Sequence, residues 1–294
     1  MTISVIFAGA VIWFSHILPA INDEPMQVST TTPAPPVQAS DAERWSGVAR
    51  ITGDVSCTGV LLDTGEGDGP AYLLTAGRCG PARDADPNAV LTNQPVDATA
   101  TFKVISGVPS VSVPVARVAY SSMKGTDVSV LRLDATLAEL RGQGLRPDAI
   151  VPAAAAARFP VTDVGVPVDG IDPTGVVLRA GSCRLGASAD LVESSWLFDQ
   201  MQANNCPGAV GGSSGSPLFN DADQVVAMLT TTTAGALPGG ACFRDTPCVR
   251  TRSGVTVEAD TSYAVAAAGL DRCFQGGTFG LGKDCPLPKP ALTF

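Results

Sequence analysis

Two adjacent serines lie in a glycine-rich loop, Gly211-Gly212-Ser213-Ser214-Gly215-Ser216-Pro217-Leu218. A serine hydroxyl attacks a carbonyl at neutral pH only when a neighbouring group takes its proton and passes it to the leaving group. Imidazole is the usual acceptor, but the chain has a single histidine, His16, placed in an N-terminal apolar run. A carboxylate able to orient such a base opens Asp127-Val128-Ser129-Val130-Leu131-Arg132-Leu133. A third segment pairs Cys57-Thr58-Gly59-Val60-Leu61-Leu62 with Leu73-Leu74-Thr75-Ala76-Gly77-Arg78-Cys79. Arg78 offers no base, because a guanidinium stays protonated throughout the accessible pH range. Lys124, three residues before Asp127, is the nearest alternative, and no pattern places its amine beside Ser214. The glycine-rich loop also fits G-x-S-x-G centred on Ser213, but that elbow opens a helix, and here Pro217 and a strand-like Leu218-Phe219 follow.

These groups are set in short apolar runs separated by Gly, Pro, Asp or Asn. Val48-Ala49-Arg50-Ile51, Tyr72-Leu73-Leu74-Thr75, Thr101-Phe102-Lys103-Val104-Ile105, Gly175-Val176-Val177-Leu178 and Val225-Val226-Ala227-Met228-Leu229 have strand length. Helix is expected only over residues 137–141 and 264–274, and two β-rich halves should join near residues 150–165. With 31 Gly and 23 Pro among 294 residues, an all-β barrel or sandwich architecture is expected.

The net charge of -9 argues against a nucleic-acid partner. Residues 1–21 read as a signal peptide or signal anchor, so membrane attachment is expected only if they remain. Residues 22–44, rich in Pro and Thr, read as an extended linker. Eight cysteines fall as sequence neighbours: Cys57 with Cys79, Cys183 with Cys206, Cys242 with Cys248, and Cys273 with Cys285. An even count in an exported chain favours disulfides, and the short spans favour this sequential pairing. No C-x-x-C pair exists and no histidine lies beyond the export segment, so no metal is expected. No cofactor is implied.

In order and spacing, the three motifs resemble the chymotrypsin/trypsin-like serine peptidases, especially the secreted bacterial branch that includes glutamyl endopeptidases. The resemblance spans roughly residues 45–274. It implies a double six-stranded β-barrel with the active-site cleft between barrels, the N-terminal barrel over about 45–150 and the C-terminal one over about 165–275. The peptidase domain would cover 45–285 and leave a tail at 286–294. Ser214 matches the nucleophile, Asp127 the orienting acid, and the N–H groups of Gly212 and Ser214 the oxyanion hole. Cys57 and Cys79 match the disulfide pinning the catalytic loop, and Arg78 stands where the family has its histidine.

Arg78 is expected to face Asp127, since a guanidinium matches a carboxylate with two donors. The specificity pocket is expected to include Gly208, Thr230 and Thr232, with threonine hydroxyls suited to a small polar or acidic side chain. Ser213 stands where cleavage-activated relatives carry an acid, so activation by a new amino terminus is not expected. The favoured function is a secreted or periplasmic monomer that binds a polypeptide without cleaving it. An active endopeptidase, with Arg78 a variant or error for His, and a non-catalytic cell-surface module are the alternatives.

Overall fold

The computed structural model describes residues 30–152, 159–236 and 242–291. The export segment with His16, and most of the alanine-rich stretch at 152–158, therefore lie outside the described residues.

Seven strands form the first sheet: β1 (Val48–Thr52), β2 (Ser56–Leu61), β3 (Pro70–Thr75), β4 (Val90–Gln94), β5 (Thr99–Phe102), β6 (Val111–Ser122) and β7 (Val128–Thr136). The order β6-β5-β1-β2-β3-β7 closes on itself through β6–β7 pairing, giving a six-stranded barrel with β4 added at its edge. Helix α1 (Leu137–Gly142) follows, with a capping box in which Thr136 and Glu139 satisfy each other's backbone N–H groups.

The second sheet holds β8 (Pro160–Gly165), β9 (Arg179–Glu193), β10 (Trp196–Asn204), β11 (Pro217–Phe219), β12 (Val225–Thr232), β13 (Cys248–Thr251), β14 (Gly254–Thr256) and β15 (Ser262–Ala266). Here β9-β10-β15-β12-β11-β8 closes through β8–β9 pairing, and the β13–β14 hairpin extends from β9. The expected all-β double six-stranded barrel is the observed architecture. Closure leaves neither ring with a free edge.

Alternation along the strands explains why so many are apolar on both faces. Leu61, Leu73 and Leu131 point into the first barrel with Ile51 and Phe102. Their neighbours Val60, Leu74 and Val130 join Val164, Phe219 and Met228 in a core between the barrels, where Trp45 packs on Phe219 at 5.0 Å between ring centres.

Three expectations need correction. Residues 264–274 are not helical: Ala264 is fully buried within β15, paired on both sides, and only a 3-10 turn follows at Leu270–Cys273. Tertiary pairing overrides the helix preference of alanine there. Residues 175–178 form no strand, because Leu178 donates its N–H to Val104 and accepts from Val37 instead of joining a sheet ladder. The run at 101–105 ends early, at Phe102, because Lys103 takes a positive φ of 53°.

The linker and tail are also less free than their compositions suggest. Ala34 and Val37 are buried, Gly208 donates to the Thr30 carbonyl at 2.7 Å, and Pro36 bridges to Arg179. Leu287 is buried and Tyr120 donates its hydroxyl to the Pro288 carbonyl. All four disulfides pair as sequence neighbours. Among the described residues, no helix is long and apolar enough to cross a membrane.

Candidate active-site cleft

Each functional side chain is placed by the end of a strand. Arg78 lies in the 3-10 turn Gly77–Cys79 just after β3, tied to β2 by the Cys57–Cys79 disulfide. The turn fits tightly: a Cβ on Gly77 would meet the Ser122 carbonyl oxygen at 2.4 Å. Asp127 immediately precedes β7, and Ser214 lies in the loop leading to β11.

One side chain fastens this loop across the barrels. Thr58 of β2 donates its hydroxyl to the Gly212 carbonyl at 2.9 Å and accepts from the Val166 N–H at 2.9 Å, while its own N–H donates to the Ser214 carbonyl. The loop requires glycine at two places. Gly212 has φ 96° and Gly215 φ 90°, and a Cβ on Gly215 would lie 2.1 Å from the Thr58 carbonyl oxygen. Nothing in the immediate sequence of Thr58 marks this contact, 154 residues away.

Arg78 faces Asp127 as expected, and its surroundings go further. Its backbone N–H donates to Asp127 Oδ1 at 2.9 Å and its Nε to Oδ2 at 2.7 Å. The far end of the guanidinium makes a second fork: Nη1 and Nη2 donate to the two carboxylate oxygens of Glu193 at 2.9 and 3.0 Å. Nη1 also reaches Asp245 at 3.2 Å, and the Trp196 ring centre lies 5.6 Å from the guanidinium carbon. Arg78 is 7% exposed, and Asp127 and Glu193 are fully buried.

Burial opposes the charge on Arg78, but Asp127 and Glu193 more than offset it, so the guanidinium is held even more firmly protonated than usual. Burial pushes the Asp127 carboxyl above the ordinary carboxylate range, against the opposing pull of Arg78. Glu193, the last residue of β9, is the functional residue that sequence reading misses. It lies 115 residues from Arg78 in no motif, and only the β9–β10 turn brings it over the site.

Ser214 is half-buried, and its hydroxyl donates to the Thr230 carbonyl at 3.2 Å. No base accepts its proton among the described residues. The N–H groups of Gly212 and Ser214 donate to no described residue. Beside Ser214 opens a cavity of about 220 Å³ lined by Thr230, Thr231 and Thr232, with Asp169 and Asp245 also on its wall.

Thr230 and Thr232 therefore stand where the pocket was expected, but Gly208 does not line it. Residues 30–34 cover that glycine: a Cβ there would meet the Pro33 backbone at 2.7 Å. The two carboxylates also make the pocket a poor host for an acidic side chain. A second cavity of about 150 Å³ adjoins it, lined by Ser214 and Gly212 on one side and by Arg78, Arg83 and Arg244 on the other.

No family model matches the chain, and no curated protein matches it by sequence. Among solved structures it is similar to the protease Anisep from Arthrobacter nicotinovorans, at 12% identity and TM-score 0.49, covering 84% of this chain and 97% of that one. It is also similar to the MamO protease domain from Magnetospirillum magneticum, at 12% identity and TM-score 0.46, with 76% and 93% covered. A Glu endopeptidase in complex with MPD gives 15% identity and TM-score 0.45, with 84% and 97% covered.

Proposed function

We propose that this chain is an exported, trypsin-like peptidase homologue that has lost hydrolysis and uses its cleft to bind polypeptide. The observation that carries this reading is the double fork on Arg78. Where a base should receive the Ser214 proton stands a cation that is already protonated, with four of its five side-chain N–H groups committed to Asp127, Glu193 and Asp245. Without a base, only the oxyanion hole and substrate binding remain, worth roughly 10³–10⁴-fold over water in serine peptidases and several orders below a working enzyme.

Glu193 also argues against an accidental arginine. Its carboxylate is fully buried, and its hydrogen-bond donors are the Arg78 guanidinium and the Asp245 N–H. A buried carboxylate matched to the far end of Arg78 is a partner that a histidine could not reach in the same way. The four disulfides suit an oxidising compartment, in keeping with export.

Casein hydrolysis by the purified domain tests this proposal. The parent is expected to match a Ser214→Ala control, and Arg78→His combined with Glu193→Gln is expected to exceed both. Cleavage by the parent that Ser214→Ala abolishes would overturn the reading.

A further inference from the structure

Two backbone donors and two arginines meet in the cleft. Gly212 is buried, yet neither its N–H nor that of Ser214 donates to a described residue, and a buried backbone donor calls for an acceptor. The adjoining 150 Å³ cavity brings Arg83 and Arg244 to the same place. Arg244 stacks on Trp196 at 4.9 Å and donates one long hydrogen bond of 3.4 Å to the Arg83 carbonyl. Arg83 and Arg244 share the exposed carboxylate of Asp84 at 4.0 and 3.8 Å, ion pairs too long to be hydrogen bonds, so most of their donors stay available to a ligand. Arg78 lines the cavity too, but its charge is balanced by Asp127 and Glu193 behind it.

We propose that the cleft recognises the free C-terminus of a polypeptide. The terminal carboxylate sits between the Gly212 and Ser214 N–H groups, with Arg83 and Arg244 at its flank, and the last side chain enters the threonine-lined pocket. This rests on the reading of the cleft as a non-hydrolysing peptide site and adds which peptides it takes. A carboxylate supplies two acceptor oxygens and a full negative charge, whereas the carbonyl of an internal peptide bond supplies one oxygen and no charge. Loss of hydrolysis fits such a ligand, which has no bond left to cut beyond its last residue.

The two cavities are contiguous, sharing Gly211, Ser214 and Asp245, so one residue can occupy both. The pocket beside Ser214 holds a single side chain. Its wall offers Thr231, whose hydroxyl is buried without a partner, while Asp169 adds negative charge and Asp245, paired with Arg78, stands where the two cavities meet. The terminal residue is therefore basic or neutral and polar, and acidic termini are excluded.

Fluorescence anisotropy with labelled peptides tests this on the unmodified protein. A panel varies the last residue among Lys, Ser, Leu and Glu, each as free acid and as C-terminal amide. The free acids ending in Lys or Ser are expected to bind at least tenfold more tightly than their amides and than the peptide ending in Glu. Arg244→Gln is expected to reduce the acid-over-amide ratio at least threefold, and raised salt to reduce it further. Equal binding of acids and amides would overturn the C-terminus proposal while leaving a peptide-binding cleft in place. Failure of every peptide to bind would overturn both.

Discussion

Arg78 joins two buried carboxylates that form no ion pair with any other cation among the described residues, so its role is structural whatever it does to the chemistry. Asp127 and Glu193 are fully buried against Arg78, and removing the arginine would leave both without their ion-pair partner. Breaking a buried pair from one side costs about 3–5 kcal/mol. Arg78→Met is therefore expected to lower the unfolding free energy read from denaturant titration by about 3–5 kcal/mol, and adding Glu193→Gln should recover part of it. An Arg78→Met variant as stable as the parent would show that the cluster contributes nothing. Half of this cluster was legible in the sequence, because Arg78 and Asp127 occupy motif positions whose meeting the resemblance implies. Glu193 was not, because its place over the site depends on a hairpin turn that no local pattern records.

At the scale of elements, strands with unbroken apolar runs were readable and the long ones were not. β6 and β9 mix exposed, half-buried and buried positions over 12 and 15 residues, β6 interrupted by Ser112, Pro114 and Arg117 and β9 by Arg184 and Asp190, so no compact apolar run marks them. Alanine-rich β15 reads as helix from its residues alone, because its strand character comes from its neighbours.

β8 adds a consequence of its own. Asp163 is 7% exposed, and one of its carboxyl oxygens has no partner. Burial pushes its pKa up to about 7, above the ordinary carboxylate value in the unfolded chain. The folded state thus holds the proton more tightly, and the stability this contributes is complete below about pH 4 and lost as pH rises through about 7. Asp163→Asn has no such proton to lose, so the variant's stability relative to the parent is expected to rise between pH 4 and pH 8. A pH-independent difference in denaturation midpoint would contradict this. Asp148, whose pKa burial raises to about 8, is present in both proteins and so cancels in the difference.

For the whole molecule, the cleft is a product of two closed barrels held in register rather than of any one motif. Thr58 ties the first barrel to the serine loop, Trp45 and Phe219 pack in the core shared by the two barrels, and residues 30–37 lie along the second. On the proposed reading, this scaffold keeps the Gly212 and Ser214 N–H groups and a side-chain pocket in place without a proton acceptor beside Ser214. Binding and chemistry separate cleanly in such a molecule, because binding needs the shape and the donors whereas acyl transfer also needs the base.

The most direct measurement is the rate of covalent labelling of Ser214 by a fluorophosphonate, which reports nucleophile activation without demanding a particular peptide. The parent is expected to label no faster than the Ser214→Ala control, and Arg78→His with Glu193→Gln at least a hundredfold faster than the parent. Prompt labelling of the parent, lost in Ser214→Ala, would contradict the claim that Arg78 has ended the chemistry.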